Sequence, residues 1–103
     1  SRFLTRTWDG VEVRYSVDEA ADLATAYAVS VTAPGIPNWR GIEVGSTRAA
    51  VLAAYPELDE AEQEKQNGTR DLLFWGRPVG GIFVGFRLEN DVVVQMDSQF
   101  VFD

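Results

Sequence analysis

The chain has 103 residues, a length for one domain, with 46% apolar residues, no cysteine, no histidine and a net charge of −7. The two missing residue types exclude disulfides, thiolate metal sites, cysteine nucleophiles and the Ser-His-Asp arrangement, and with them the commonest general base. Sixteen acidic residues against nine basic ones, with no local cluster of Lys and Arg, make a phosphate backbone an unfavourable partner, so no nucleic acid is expected.

Asp9-Gly10 is a favoured two-residue hairpin turn. It sets Trp8 opposite Val11, Arg6 opposite Val13 and Leu4 opposite Tyr15, giving a face that is apolar except for Arg6. Asp18 to Ala26 is helix-permissive, with Asp18 as a cap and frequent Ala, and is read as one or two helical turns or a loop. Tyr27 to Ala33 alternates and reads as a strand, ended by Pro34-Gly35-Ile36-Pro37-Asn38. The hairpin and strand together span residues 3–33.

Gly41-Ile42-Glu43-Val44-Gly45 reads as a short strand leading into a helix over 47–55. Thr47 is the expected N-cap, with Ser46 as the alternative. Val51, Leu52 and Tyr55 lie on one helical stripe and should face the sheet, and Pro56 stops the helix. Leu58 to Gly68 is strongly polar and reads as a partly helical connector, capped by Asp59 where it is helical.

Residues 71–99 read as a meander: Leu72 to Trp75, a turn over Gly76 to Gly81, Ile82 to Leu88, and Val92 to Ser98. A three-residue loop at Glu89-Asn90-Asp91 would oppose Leu88, Phe86, Val84 and Ile82 to Val92, Val94, Met96 and Ser98. That register is preferred to a two-residue turn because it keeps the apolar residues on one face. A bulge is expected at Gly85. The fold class is therefore α+β: an antiparallel sheet of about five or six strands with one or two short helices packed on one face.

Gly45-Ser46-Thr47-Arg48-Ala49-Ala50-Val51, followed by Tyr55, resembles the helix motif of small bacterial envelope domains. These include the SmpA/OmlA (BamE-like) lipoproteins and the repeats of β-lactamase inhibitor protein. Gly41-Ile42-Glu43-Val44-Gly45 and the meander from Leu72 onward fit the pattern of a broad group of bacterial proteins of this kind. Pro56 stands where such domains usually have Gly, and Ala50 where a capping-box Glu or Gln is expected. The resemblance implies helices on one face of an antiparallel sheet, an extracytoplasmic location in the envelope or secreted, and no catalytic residue. Because the sequence starts at Ser1 without a methionine, a trimmed or mature form is expected, and the N-terminus does not tell whether a signal peptide or lipid anchor was removed. No run of about 18 apolar residues occurs, so no transmembrane segment is expected.

Among the abundant carboxylates, Asp59-Glu60-x-Glu62-x-Glu64 lacks the spacing of a calcium loop and reads as a solvated face. No metal or cofactor site is expected. Glycines 76, 80, 81 and 85 are followed by strand rather than by Gly-Lys-Ser/Thr and a helix, so they are turn residues and no phosphate loop. If Ile82, Val84, Phe86 and Leu88 face the helix, Phe83 and Arg87 occupy the other face, joined there by Trp75 or Phe74. An open face carrying Trp75, Phe83 and Arg87 is a candidate binding surface; the alternative is that another segment or a second chain covers these rings. Trp39 either presents its indole to a ligand or, as the large area of the side chain favours, plugs one end of the core. The functional expectation is a non-enzymatic module that binds a protein partner through the open sheet face, with a homodimer also open. The alternatives are a structural or oligomerisation domain of a longer protein, and a carboxylate-dependent enzyme.

Overall fold

The computed structural model describes residues 2–77 and 81–100. β1 (Arg2–Trp8) and β2 (Val11–Asp18) are joined by Asp9-Gly10, and their pairing sets Trp8 opposite Val11, Arg6 opposite Val13 and Leu4 opposite Tyr15. β3 (Leu23–Val31), α1 (Arg48–Ala54), α2 (Glu60–Asn67), β4 (Leu72–Arg77), β5 (Ile82–Glu89) and β6 (Val92–Phe100) follow. Among the described residues the strands form one antiparallel sheet of six, in the order β1-β2-β3-β6-β5-β4, and the fold is α+β. No helix among the described residues is long and apolar enough to cross a membrane.

Four expectations are corrected. The stretch from Asp18 is not helical: β2 runs to Asp18 and β3 begins at Leu23, not Tyr27, so Ala24 and Ala26 pair with Val17 and Tyr15. Asp18 does accept from the N–H groups of Ala20 (3.1 Å) and Ala21 (3.3 Å), but it closes a turn. Strand pairing thus overrides the helix propensity of alanine. Gly41 to Gly45 is a loop, because Gly41 and Gly45 take φ of 81° and 100° and break any extended run.

The β5–β6 register is neither of the two considered. Asn90 and Asp91 both take positive φ (52° and 62°), as a two-residue turn demands, so Leu88 meets Val93. A bulge between Arg87 and Leu88 then shifts the pairing by one, and Phe86 meets Met96. Turn chemistry and burial are both satisfied because one extra residue on β6 absorbs the conflict. Gly85, by contrast, pairs regularly with Phe74 and Asp97 and carries no bulge. The turn over Gly76 to Gly81 lies largely outside the described residues.

α1 is too short to persist alone in water. Thr47 caps it, its hydroxyl accepting from the Ala50 N–H at 3.1 Å. Packing supplies the rest: Val51 and Tyr55 are fully buried in a cluster with Leu73, Val84, Phe86, Leu88, Val93 and Met96, and Leu52 packs against it half-buried. Each such side chain contributes about 1.5–3 kcal/mol by leaving water. α2 buries no residue, yet it is anchored. Gln63 accepts from the Phe74 N–H at 2.9 Å and Asn67 donates to the Leu72 carbonyl at 2.8 Å, so two amides satisfy two backbone groups on the outer edge of β4.

One row of side chains crosses the whole sheet: Trp8, Val11, Val31, Met96, Phe86 and Leu73. Its exposure falls from 52% at Trp8 to 1% at Leu73, so the core lies under β4–β6 and thins out toward β1. The molecule is accordingly elongated, with a radius of gyration of 14.9 Å where about 13 Å is usual for a chain of this length.

Arg48 is buried at the junction of three connections. Its Nε donates to Asp91 at 2.7 Å and its NH1 to the Arg70 carbonyl at 2.7 Å; NH2 lies 3.5 Å from Asp71. Beside it the Arg48 N–H donates to the Asp91 carbonyl and the Leu88 N–H to the Asp71 carbonyl, both at 2.8 Å. The Arg48 hydrogen bond, aided by the charges of Arg70 and Arg48, outweighs partial desolvation and holds the Asp91 carboxyl below its ordinary value near 3.8. In the window just below that value the unfolded chain binds more protons than the folded one, so stability rises with pH there. Arg48→Met should lower the unfolding free energy at neutral pH by about 1.5–3 kcal/mol, the range for hydrogen bonds to a charged group. Urea unfolding should also show that the wild-type advantage over this variant shrinks as the pH falls through the lowered Asp91 value.

Candidate functional site

Asn38 organises the loop between β3 and α1. Its side-chain oxygen accepts from the N–H groups of Arg40 and Ile42, both at 3.0 Å, and its amide nitrogen donates to the Tyr55 hydroxyl at 3.0 Å. The effect is to turn Ile42 into the core and leave Trp39 on the surface, 55% exposed. Trp39 therefore presents its indole and does not plug the core.

The next residue reaches over α1. The Arg40 guanidinium lies 4.5 Å from the Tyr55 ring centroid and 4.6 Å from that of Trp75. Its NH1 donates to the Ala54 carbonyl at 2.9 Å, completing the end of α1 where positive charge is favoured, and to both Glu57 oxygens at 2.9 and 3.1 Å. Trp75 Nε1 donates to the same Glu57 carboxylate at 2.5 Å. Trp39 and Trp75 are 6.1 Å apart between centroids, Trp75 and Tyr55 5.5 Å, and Tyr55 and Phe86 5.2 Å, so aromatic contacts run unbroken from the surface into the core. A cleft of about 510 Å³ opens over this group, bounded also by Leu58, Phe74, Gly76 and Ile82.

Burial pushes the Tyr55 phenol above its ordinary value near 10, only partly offset by the Asn38 bond and the Arg40 charge. At Glu57 partial desolvation acts upward, but the bonds from Arg40 and Trp75 and the charge of Arg40 together overcome it and hold the carboxyl below 4.5. The site is thus a fixed carboxylate, a fixed guanidinium and a neutral phenol. Such a group can orient and stack against a ligand. No group of three or more acidic side chains converges as a metal site among the described residues.

Of the residues singled out in the sequence, Trp39 and Trp75 come together here. Phe83 and Arg87 do not, because their cross-strand partners are Gly76 and Leu72, on the opposite face. Phe74, not Trp75, joins them. The Phe74 and Phe83 rings lie over Gly85 and Gly76, where an added Cβ would come within 2.8 Å of each ring. Rings covering cross-strand glycines protect backbone, a structural role for side chains that remain 51% and 41% exposed. Arg40, Tyr55 and Glu57 were not anticipated in the site. They stand 15 to 35 residues from the side chains they meet, and no spacing rule joins them. The acidic run Asp59–Glu64 lies mostly on exposed turns of α2.

No family model matches the chain, and neither a curated protein nor a solved structure matches it.

The Trp75 indole proton reports the Glu57 contact. In a ¹H–¹⁵N titration its resonance should move with an inflection below pH 4.5. Glu57→Gln should abolish that inflection while the fold is kept. An unchanged titration in the variant would show that another group controls the indole.

Proposed function

We propose that the chain is a non-enzymatic protein-binding module whose contact surface is centred on the Trp39–Trp75 cleft. The observation that carries this reading is an exposed indole fixed beside a second Trp, with an arginine held across two rings. Trp, Tyr and Arg are the residues that dominate binding energy at protein interfaces, above all where their rotamers are already fixed. The polar atoms of the cleft largely satisfy one another, so what remains for a partner is aromatic area and the outer part of the guanidinium. Against catalysis stands the direction of the carboxyl shifts: Glu57 and Asp91 are both lowered, whereas an acid–base pair needs values driven apart.

The reading places α1 and α2 on one face of the sheet, with the Trp39–Trp75 cleft at its β4 end and the thinly covered row of β1–β3 at the other. The likeness of Gly45 to Val51 to BamE-like lipoproteins and β-lactamase inhibitor repeats supports a location outside the cytoplasm.

The test is affinity capture from the source cells with three variants in parallel. Proteins retained by the wild type should be lost with Trp39→Ala and Trp75→Ala, each weakening binding by about 30-fold or more, the scale of a hot-spot residue. Phe83→Ala should retain them. Equal retention by all three variants, or loss with Phe83→Ala alone, would move the contact surface off the cleft.

A further inference from the structure

We propose that two copies of this chain associate edge to edge through β1, in an antiparallel pairing centred on Thr5. The sheet has two edges, and they are treated differently. Along β4 the amides of Gln63 and Asn67 occupy the outward N–H of Phe74 and the outward carbonyl of Leu72. Along β1 all seven residues are exposed, its register with β2 is unbroken, and it contains neither proline nor lysine. Proline, lysine and bulges are among the usual devices that stop an edge from pairing; of the others β1 has only the charges of Arg2 and Arg6.

The direction of the unpaired groups follows from the ladder. The Thr32 N–H donates to the Gly10 carbonyl at 2.8 Å, so Gly10 faces β3 and Val11 faces β1. Trp8 and Val11 then form a hydrogen-bonded pair, and Arg2, Leu4, Arg6 and Trp8 direct their backbone groups toward β2. Phe3, Thr5 and Thr7 direct theirs outward, where β1 has no neighbouring strand among the described residues.

Self-pairing has one favourable register. Centred on Thr5, the whole strand overlaps: Thr5 meets Thr5, Phe3 meets Thr7, and the outward groups exchange about six hydrogen bonds. Arg2 then stands opposite Trp8, and Arg6 opposite Leu4, so each arginine lies beside an exposed apolar side chain of the other copy. Centring on Leu4 instead sets Arg2 directly against Arg6, and centring on Arg6 sets it against itself. Like charges directly opposite destabilise a pair. The chain as a whole is acidic, but β1 itself carries arginine as its only charge, with Arg2 paired to Glu19 at 3.0 Å, so charge helps select the register and does not forbid the contact.

The pairing is two-fold and closed. Each copy brings one fully open edge, and at the other edge the Gln63 and Asn67 amides occupy two of the outward β4 groups and so hinder extension by a third copy. The proposal rests on the strand edge and is independent of the Trp39–Trp75 cleft.

Because the chain has no cysteine, a single introduced thiol reports the register directly. In Thr5→Cys the two Cα atoms would be about 5.5 Å apart, within disulfide reach. In Thr7→Cys they would be separated by four residues along the strands, about 13 Å, and out of reach. Under mild oxidation Thr5→Cys should cross-link at least tenfold faster than Thr7→Cys. Sedimentation velocity of the wild type from about 10 μM to 1 mM should show a monomer–dimer equilibrium. Thr5→Pro, which removes an outward N–H and spares the β2 ladder, should weaken it at least tenfold. A wild type that stays monomeric throughout, equal cross-linking at the two positions, or a dimer that persists in a folded Thr5→Pro chain would each overturn the proposal. Should Thr5→Pro fail to fold, the two cysteine variants decide it.

Discussion

A buried guanidinium holds this structure together where three connections meet. Arg48 begins α1, and its donors reach the β5–β6 turn at Asp91 and the α2–β4 connection at Arg70 and Asp71. The backbone around it is cross-tied in the same place: Gly45 donates to the Val93 carbonyl and Val93 to the Ser46 carbonyl, both at 2.8 Å. A helix of seven residues has no stability of its own, so its position depends on this junction and on the burial of Val51 and Tyr55. The acids around Arg48 are more than half exposed, so the desolvation cost falls mainly on the buried guanidinium, whose donors are met by Asp91, Arg70 and Asp71.

From that junction the order of the molecule decreases with distance. β4–β6 carry the buried cluster, while β1 and β2 present the same face with progressively less over it. Tyr55 is the hinge of the design. It is the last contact of α1 with Phe86 in the core, and its ring is also the floor on which Arg40 rests. The surface indole of Trp39 is thereby tied to the core through Trp75 and Tyr55, which gives a candidate contact surface at little further entropic cost. The two ends of the sheet thus differ in kind: one is aromatic and rigid, the other an open edge.

Local chemistry was legible in the sequence wherever a residue acts on its near neighbours. Asp9-Gly10 specified the first hairpin to the residue, Thr47 and Asp59 both cap as their positions indicate, and Pro56 ends α1. Failures arose where two local rules conflicted or where partners are distant. Asn90-Asp91 called for a two-residue turn and the apolar pattern for a different register; the bulge that reconciles them has no sequence signature of its own. Alanines after Asp18 favoured helix, and only pairing with β2 decides for strand. The polar helix α2 offered no apolar stripe because it docks through Gln63 and Asn67, which look like solvated side chains until β4 is placed beside them. Of the cleft, the two indoles were nameable, but the Arg40–Glu57–Trp75 contacts join three segments that no periodicity relates.

Native-state hydrogen exchange on the dilute protein tests the central claim, that stability radiates from the Arg48 junction toward β1. The amides of Val93, Leu88 and Tyr55, each hydrogen-bonded at 2.8 or 2.9 Å around α1, should exchange only through global unfolding. Those of Leu4 and Arg6, on the thinly covered edge, should open at a free energy lower by about 2 kcal/mol or more. Equal protection at the two ends, or faster exchange at Val93 and Leu88 than in β1, would contradict the account.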